Sequence, residues 1–469
     1  MGTLLGSLYT GIKGLYAAQM GLAVTGNNIA NVNTPGYSRQ RAVLADSFSV
    51  QIPAGSIGTG VDVQKILAVR DRYVEYRLIE QAPEKSRDET LASGLSNIDA
   101  MFNETQHPGI QSALTALFSA YSSLASQPES LAQRNDVLTK GQQLTALFRS
   151  RYSNLTEVQL SSDRAVSSTV DQINALSSQI AKLNQKVVEA ESGSSGIATA
   201  NDLRDNRDEL VRQLSNLVNI STTETESGAV TIGVAGGRLL VAGSNSYQLT
   251  VSAQPPYGYK DVFYGTTDIT SDVTGGELAG HLQVRDTYVP AYKNDLDTLA
   301  AQITTDVNAL HVNGYGMNNL IGYNFFTPWA GPGVTGAATA FSVDPAIAAD
   351  VNRIATSTAI NQPGNNDLAT DIADLATALN LSGGTASYSN YYANLTFKVG
   401  SNASTAGDNE TTEAAILTQL QNQRDSISGV SLDEEAAAMI QFQRGYQASA
   451  QFMKVIDDLT AYIISTFGQ

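Results

Sequence analysis

The sequence contains no cysteine, one tryptophan and only three histidines in 469 residues. The lack of cysteine excludes a disulfide framework, a thiolate metal site and a thiol nucleophile. His107, His281 and His311 lie far apart, and none belongs to a motif with metal-ligand spacing. We therefore expect loop or core histidines, with no metal and no other cofactor.

Long apolar runs and basic character are also missing. No stretch reaches the roughly 18 apolar residues of a membrane helix, and glycines and Gln19 interrupt the N-terminal apolar stretch, which does not resemble a cleaved secretory signal. The formal net charge is −17, which disfavours nucleic-acid backbones and anionic membranes as binding surfaces. We expect no nucleic-acid partner and no membrane insertion.

The common catalytic motifs are absent too. The sequence has no Walker motif, no GxGxxG after a strand and no GxSxG, and the glycines of VAGGRLL fit a hairpin turn better than a phosphate loop. Asp457 and Asp458 are adjacent carboxylates on the expected wet side of a helix. We therefore predict that the protein is not an enzyme.

An apolar seam lies near the N-terminus. It alternates in steps of three and four, which predicts an amphipathic helix over residues 4–30, and it consists of Leu5, Leu8, Ile12, Leu15, Leu22 and Ile29. Five glycines interrupt this helix, and each costs about 1 kcal/mol relative to alanine. The helix should therefore form only when packed, and its glycines permit close approach of a neighbouring backbone.

A polar turn signature follows the helix and comprises Asn27, Asn28, Asn31, Thr34, Pro35, Gly36 and Tyr37. Pro35 presets φ for the first corner of a turn, and Gly36 accepts positive φ at the second. We predict a type II turn that leads into a short strand at residues 39–44. Alternation at residues 42–48 and 61–69 predicts strands there, with a glycine-rich loop at 52–60 between them.

The C-terminal region carries a second seam. Its members keep the same spacing over about four heptads, as is typical of a coiled coil, and include Met439, Phe442, Tyr446, Met453, Ile456 and Ile463. We predict that the two chain ends pair with each other.

These two ends also carry a family resemblance. Residues 26–41, GNNIANVNTPGYSRQR, resemble the N-terminal signature of the bacterial flagellar axial proteins, which comprise rod, hook and hook-associated proteins. Residues 428–457 resemble the C-terminal signature of that family. Residues 37–40, 200–220 and 275–300 are similar to its hook-associated members.

The resemblance implies a self-assembling structural subunit that joins hook to filament and is exported by the flagellar type III apparatus. The implied partners are a ring of like subunits, the hook protein, a second junction protein on the filament side and an export chaperone on the C-terminal helix. By resemblance, the C-terminal seam would contact the chaperone and both seams would make axial contacts. The alternatives are a rod or hook subunit, or a secreted adhesin or hydrolase that uses a β insert.

The predicted fold is mainly α with a β insert (α+β), in which a long antiparallel helical bundle carries terminal helices paired as a coiled coil. The expected units are 1–60 with 430–469, a helical rod over 61–221 with 286–322 and 403–429, a β insert at 222–285, and a loop-rich segment at 323–402. Within them we expect a helical break near Pro83, one long helix or a helical pair at 131–188, and a helix capped by Asn201 or Asp202. Mixed charges at 204–209 indicate a solvated helix face, and period-two alternation predicts strands from 222 to 282. Further helices are expected at 289–313 and from Thr411 onward.

Overall fold

The computed structural model describes residues 2–52, 55–104, 109–192, 200–256 and 258–467. Most of this part of the chain is helical, with several small antiparallel sheets, so the predicted mainly α fold with a small β insert is confirmed. No helix within it is apolar over a stretch long enough to cross a membrane.

The central bundle is formed by long helices that share one apolar core. These are α2 (Arg72–Phe102), α3 (Ile110–Ser126), α4 (Leu131–Ser192), α7 (Val289–His311) and α11 (Tyr388–Ser428). Helix α2 packs along α11, and residues such as Leu95, Ile98 and Phe148 are fully buried between the helices.

The predicted break near Pro83 is wrong, because α2 continues through this proline. A proline inside a helix removes one backbone hydrogen bond and costs about 3 kcal/mol. Pro83 is buried, and a side chain at Gly275 would lie 3.0 Å from its ring. Tertiary packing of the proline against Gly275 therefore offsets the local cost.

Helix α4 is one continuous helix of 62 residues, which settles the choice between a single helix and a pair. Its first half contributes Leu144 and Phe148 to the bundle core, while its second half contributes Val166, Ile173 and Ile180 to a separate core. A single rigid element thus joins the bundle to the β insert.

The second core lies between α4, α5 (Asn201–Leu217) and two small sheets. The four-stranded sheet comprises β5 (Ile220–Glu224), β6 (Val230–Val234), β7 (Arg238–Ala242) and β8 (Asn245–Ser246), and the three-stranded sheet comprises β9 (Leu249–Gln254), β10 (Tyr259–Tyr264) and β11 (Thr267–Asp268). The predicted hairpin turn at Gly236 and Gly237 is present, and both residues have positive φ.

The expected strands do not extend to residue 282. A short helix, α6 (Gly276–Gln283), begins instead and continues through a π turn (Val284–Tyr288) into α7. Leu278, Ala279 and Leu282 are spaced for one helix face and are buried in the second core. The sequence of this segment therefore carries a helical period, but the strand prediction extends over it from the alternating segments before it.

The segment at 323–402 is less irregular than its composition indicates. It holds three short helices, α8 (Ala337–Ala340), α9 (Pro345–Ala349) and α10 (Asp367–Asp374), and its last part is the start of α11. The prediction that this helix begins at Thr411 is wrong. It begins at Tyr388, where the Ser387 side chain accepts a hydrogen bond from the amide of Asn390 and caps the helix.

The terminal elements are α1 (Gly2–Ala30), β1 (Gln40–Asp46), β2 (Ser49–Ile52), β3 (Gly55–Gly58), β4 (Val61–Ala68) and α12 (Leu432–Phe467). Strands β1 and β4 form one antiparallel ribbon, and β2 and β3 form another. The glycine-rich stretch expected to be a loop is therefore a hairpin in which Val50 lies opposite Ile57. Cross-strand pairing of two β-branched residues explains why this segment forms strands.

Candidate assembly interface

The two chain ends pack as an antiparallel helix pair through the glycines of α1. A side chain placed at Gly11 would lie 2.7 Å from Met453, one at Gly14 would lie 2.9 Å from Ser449, and one at Gly21 would lie 2.5 Å from Phe442. The partner numbers fall as the α1 numbers rise, so the helices run in opposite directions. Missing side chains on α1 thus make room for the large seam residues of α12.

The face of α1 that is buried within the chain is its small-residue face, which includes Gly11, Ala17, Ala18, Gly21, Val24, Thr25 and Asn28. In the leucine-rich seam, Leu8, Leu15, Leu22 and Ile29 are half-buried, while Leu5 and Ile12 are exposed. The small-residue face therefore forms the contact with α12, and the leucine-rich seam borders it. Gly11, Gly14, Ala18 and Gly21 also repeat in steps of three and four, which is the sequence signal for this contact.

On α12, the C-terminal seam residues line the side toward α1. Ile456 is the most buried, at 8 % exposed, while Met439, Phe442, Met453 and Ile463 are half-buried. Tyr446 lies at a seam position but is exposed. Within one chain, the seam is therefore covered only on one side.

Each terminal helix leaves a second apolar stripe open. The stripe on α1 consists of Leu5, Tyr9, Ile12 and Tyr16, and that on α12 consists of Phe452, Val455, Leu459 and Tyr462. All eight side chains are exposed, and their spacings place each set on one helix face. Because Gly11 lies beside Met453, the two stripes are at the same height along the helix pair. Exposed apolar patches of this kind mark interaction surfaces.

We expect replacement of Gly21 by valine to separate the terminal helices. The new side chain would overlap the Phe442 ring, and overpacking of this kind costs about 1–3 kcal/mol. Rapid proteolysis of both ends in the variant, with an unchanged central fragment, is the expected result. Gly6 has open space around its Cα, so Gly6→Val is the matched control for β-branching in the same helix. Equal protection of the two variants would contradict the close contact.

The turn signature closes on Asn28, which is buried at the end of α1. Its side chain donates to the Gln40 carbonyl and accepts from both the Gln40 amide and the Tyr37 hydroxyl, all at 2.8–2.9 Å. The Tyr37 amide donates to Thr34 across the turn, and Gly36 has φ +79°, so the predicted type II geometry around Pro35 is present.

Two further signature residues stabilise the end of the helix. Asn31 donates to the carbonyl and side-chain oxygens of Asn27, and Thr34 donates to the Asn31 side chain.

Burial raises the pKa of the Tyr37 phenol well above its ordinary value, and the nearby carboxylates of Asp202, Asp205 and Glu435 raise it further. Tyr37 therefore stays a neutral donor at physiological pH.

A set of charged residues holds this turn against the helical bundle. We call it the ionic clamp, and it consists of Arg70, Glu75, Asp205, Asp208, Arg212 and Arg424. Asp205 accepts from the Ser38 amide at 3.1 Å and pairs with Arg70, whose Nε donates to the Ser38 hydroxyl. Asp205 on α5 thereby fixes the first residue after the turn.

The clamp also includes the end of α11. Arg424 donates to the Gly36 and Tyr37 carbonyls at 3.2 and 3.4 Å and pairs with Glu75 at 3.0 Å. Glu75 in turn pairs with Arg212 at 3.0 Å. Elements that lie far apart in sequence thus meet at the backbone carbonyls of Gly36 and Tyr37.

The expectation of a solvated helix face at 204–209 is wrong for two of its members. Asp205 is only 6 % exposed and Arg207 only 2 %. Burial raises the pKa of Asp205 above its ordinary value, although Arg70 and the Ser38 amide oppose the shift. The expected cap is also wrong, because α5 begins at Asn201 without a side-chain cap, and Asn201 instead donates to the Ile66 carbonyl.

Among the residues that the structure describes, no three His, Asp or Glu side chains lie close enough together to hold a metal ion. His311 is a buried core residue, and His281 lies 3.3 Å from Glu277 on the same helix. His107 is outside the described residues.

Comparison with known proteins agrees with this architecture. Residues 95–326 match the model of the flagellar hook-associated protein FlgK helical domain. Residues 8–37 match that of the flagella basal body rod protein, and residues 421–466 match that of the flagellar basal body rod FlgEFG protein C-terminal region. The two rod-type matches coincide with the paired helices and the turn signature.

Full-length relatives extend the match. The chain is 28 % identical to flagellar hook-associated protein 1 of Bacillus subtilis, over 98 % of both chains. It is 27 % identical to the Escherichia coli protein of that name, over 97 % of this chain and 98 % of the relative. The structure of the flagellar hook junction protein FlgK from Burkholderia pseudomallei has the same fold, with a TM-score of 0.68 over 75 % of this chain at 17 % identity.

The fold and the paired termini therefore define a structural protein of the bacterial flagellum. Its ends are shared with rod proteins, and its middle carries the helical domain found in FlgK. Along nearly its whole length the chain is similar to proteins named flagellar hook-associated protein 1, and its middle matches the FlgK helical-domain model.

Proposed function

We propose that this protein forms a ring of like subunits at the end of the hook and joins the hook to the filament. The observation that carries the proposal is the terminal helix pair, which is closed on its glycine side and leaves an apolar stripe open on each helix. The remaining long helices bury their apolar faces in the two cores. The open apolar stripes on both paired ends favour assembly through the unit formed by residues 1–60 and 430–469.

The energetics favour coupled folding and binding of these ends. The glycines of α1 make the helix marginal alone, and α12 is covered on one side only. Neighbours in a ring, the hook protein and a second junction protein on the filament side would cover the open stripes. Burial of those stripes then offsets the entropy of ordering the ends.

The proposal includes export through the flagellar type III apparatus and secretion to the flagellum. A first helix that is stable only when packed is compatible with passage of an unfolded N-terminus. Before export, a cytoplasmic chaperone would mask the C-terminal seam at Met439, Phe442, Tyr446, Met453 and Ile456. The unpaired seam and the stripe at residues 452–462 would otherwise expose a large apolar surface.

We expect Ile456→Asp to block this assembly. Burial of an unpaired carboxylate costs about 3–5 kcal/mol, which corresponds to a loss of hook binding of about 100-fold or more. Co-sedimentation of the purified variant with isolated hooks measures the effect, and hydrogen exchange on strands β5 to β7 should show that the β insert stays folded.

Ser465→Asp introduces the same charge at an exposed position of α12 and is the matched control. Full hook binding by the Ile456→Asp variant would contradict the proposed mechanism. If the wild-type chain instead binds only to isolated rods, the function would be that of a rod subunit. The 49 % identity to the rod protein FlgG over 53 residues supports this alternative.

A further inference from the structure

The hairpin formed by β2 and β3 and the ribbon formed by β1 and β4 expose an apolar patch that none of the contacts above uses. Its residues are Leu44, Phe48, Val50 and Ile57, and Phe48 is 73 % exposed. Val50 and Ile57 are cross-strand neighbours, so their side chains share one face of the hairpin. An isolated two-stranded hairpin is only marginally stable in water. Within the described part of the chain the Lys13 ammonium lies 5.2 Å from the Phe48 ring centroid, yet the four apolar side chains stay 41–73 % exposed.

Basic residues border this patch. Lys65 lies opposite Val43 on the ribbon, and Arg41 lies opposite Leu67. Both are exposed, and neither forms an ion pair among the described residues. In a chain with a net charge of −17, an unpaired basic edge beside an apolar patch is a distinctive surface.

The α12 stripe defined above has the complementary character. Phe452, Val455, Leu459 and Tyr462 are apolar and exposed. Asp458 lies three residues after Val455 and four before Tyr462, which places it on the edge of the same helix face. It is exposed, and the described part of the chain offers it no cationic partner.

The two surfaces also lie at the same height along the terminal helices. A side chain at Gly60, at the base of the hairpin, would lie 3.3 Å from Thr10 of α1, and Lys13 pairs with Asp62 of β4 at 3.0 Å. Gly11, between Thr10 and Lys13, is the residue that meets Met453 and Phe452 of α12. Copies placed side by side at one level would therefore bring a hairpin level with the α12 stripe of the neighbour.

We propose that the hairpin patch of one copy packs on the α12 stripe of the next copy, with Lys65 or Arg41 facing Asp458 at the edge. The two patches are different surfaces of one chain, so the contact is head-to-tail. Contacts of this type build rings or helical rows instead of closed dimers. This inference rests on the proposed function and names the lateral contact within the assembly.

Cross-linking between single-cysteine variants tests the contact, because the natural chain has no cysteine to interfere. Phe48→Cys and Leu459→Cys variants are mixed, bound to isolated hooks and treated with a short bismaleimide. We expect a cross-linked dimer that contains one copy of each variant and forms only in the hook-bound fraction. Phe48→Cys mixed with Phe397→Cys is the control, because Phe397 is 76 % exposed but lies on α11 in the helical bundle.

A charge exchange tests the edge of the contact separately. Lys65→Glu and Asp458→Lys should each weaken hook-dependent assembly about two- to fivefold, as expected for an ion pair at a rim. The double variant should recover wild-type assembly. Recovery requires opposite charges at the two positions and would not follow from a general effect of either substitution.

The outcomes separate the two proposals. Normal hook binding without the Phe48–Leu459 cross-link overturns the lateral contact and leaves the proposed function standing. Failure of the wild-type chain to bind hooks overturns both.

Discussion

Replacing Arg70 by alanine should release the turn signature from the helical bundle. The substitution leaves the buried carboxylate of Asp205 without its Arg70 partner and with the Ser38 amide as a remaining donor, and removal of one partner from a buried ion pair costs about 3–5 kcal/mol. Asp208 keeps its contact with Arg207 at 2.9 Å, so the loss should centre on Asp205. Hydrogen exchange at the Ser38 amide measures the expected opening.

The pH dependence of this variant gives a second readout. Burial already raises the pKa of Asp205, and loss of Arg70 removes the leading effect that opposes the shift. A carboxyl whose folded pKa is raised binds more protons in the folded state, so its destabilising effect is present above that pKa and is relieved as the pH falls through it. The defect of the variant should therefore shrink on acidification.

Two controls distinguish the clamp from a general effect of losing an arginine. Asp205→Asn in the Arg70→Ala background removes the buried charge and keeps an oxygen that can accept from Ser38, so it should restore most of the protection. Arg77→Ala removes an arginine from α2, the helix that follows Arg70, where its 3.5 Å pair with Glu80 is exposed, and should change little. An Arg70→Ala variant that matches Arg77→Ala would show that the clamp does not position the turn.

The sequence alone predicts the elements whose information is local. Heptad spacing marks the two terminal helices, proline and glycine mark the type II turn, and the long apolar stripe marks α4. Each of these signals depends on residues within a few positions of one another. The family resemblance at the two ends then supplies the flagellar assignment, which the comparisons support.

What the sequence does not disclose is which face meets which partner. Leu5 and Ile12 form part of a seam by spacing, yet the chain buries the glycine face beside them. Apolar periodicity identifies a helix face that must be buried, but it does not show whether the surface that buries it belongs to the same chain or to another. Asp205 and Arg207 look like solvated charges for a related reason, because Arg70, the partner of Asp205, is 135 residues away.

Lowering the pH from about 6.5 to about 4 should destabilise the bundle around α7 through His311. The ring is fully buried; its Nδ1 donates to the Tyr323 carbonyl at 2.7 Å, and its Nε2 accepts from the Ala355 amide at 2.9 Å. Burial lowers the pKa of His311 from 6.5 to about 4, and Arg134 acts in the same direction. A proton on Nε2 would turn this nitrogen into a donor that faces the Ala355 amide, which is also a donor, so the hydrogen bond between them would be lost.

The sign of the effect follows from proton binding. Between the two pKa values the unfolded chain carries a proton on His311 and the folded chain does not, so stability is fully present above about 6.5 and is lost as the pH falls toward 4. At about 1.4 kcal/mol for each pH unit, the loss amounts to about 3 kcal/mol. The free energy of opening at the Ala355 amide, from hydrogen exchange corrected for its intrinsic rate, measures it directly.

A His311→Gln variant isolates this contribution from the carboxyl groups that titrate in the same range. Asp297 on α7 has a pKa raised by burial, so acidification favours the folded state at that site and partly masks the histidine in wild-type data. The difference between wild type and variant cancels this background. If the difference stays constant from pH 6.5 to 4, His311 does not titrate on unfolding, and its role is confined to joining Tyr323 and Ala355 across the segment that closes the bundle core.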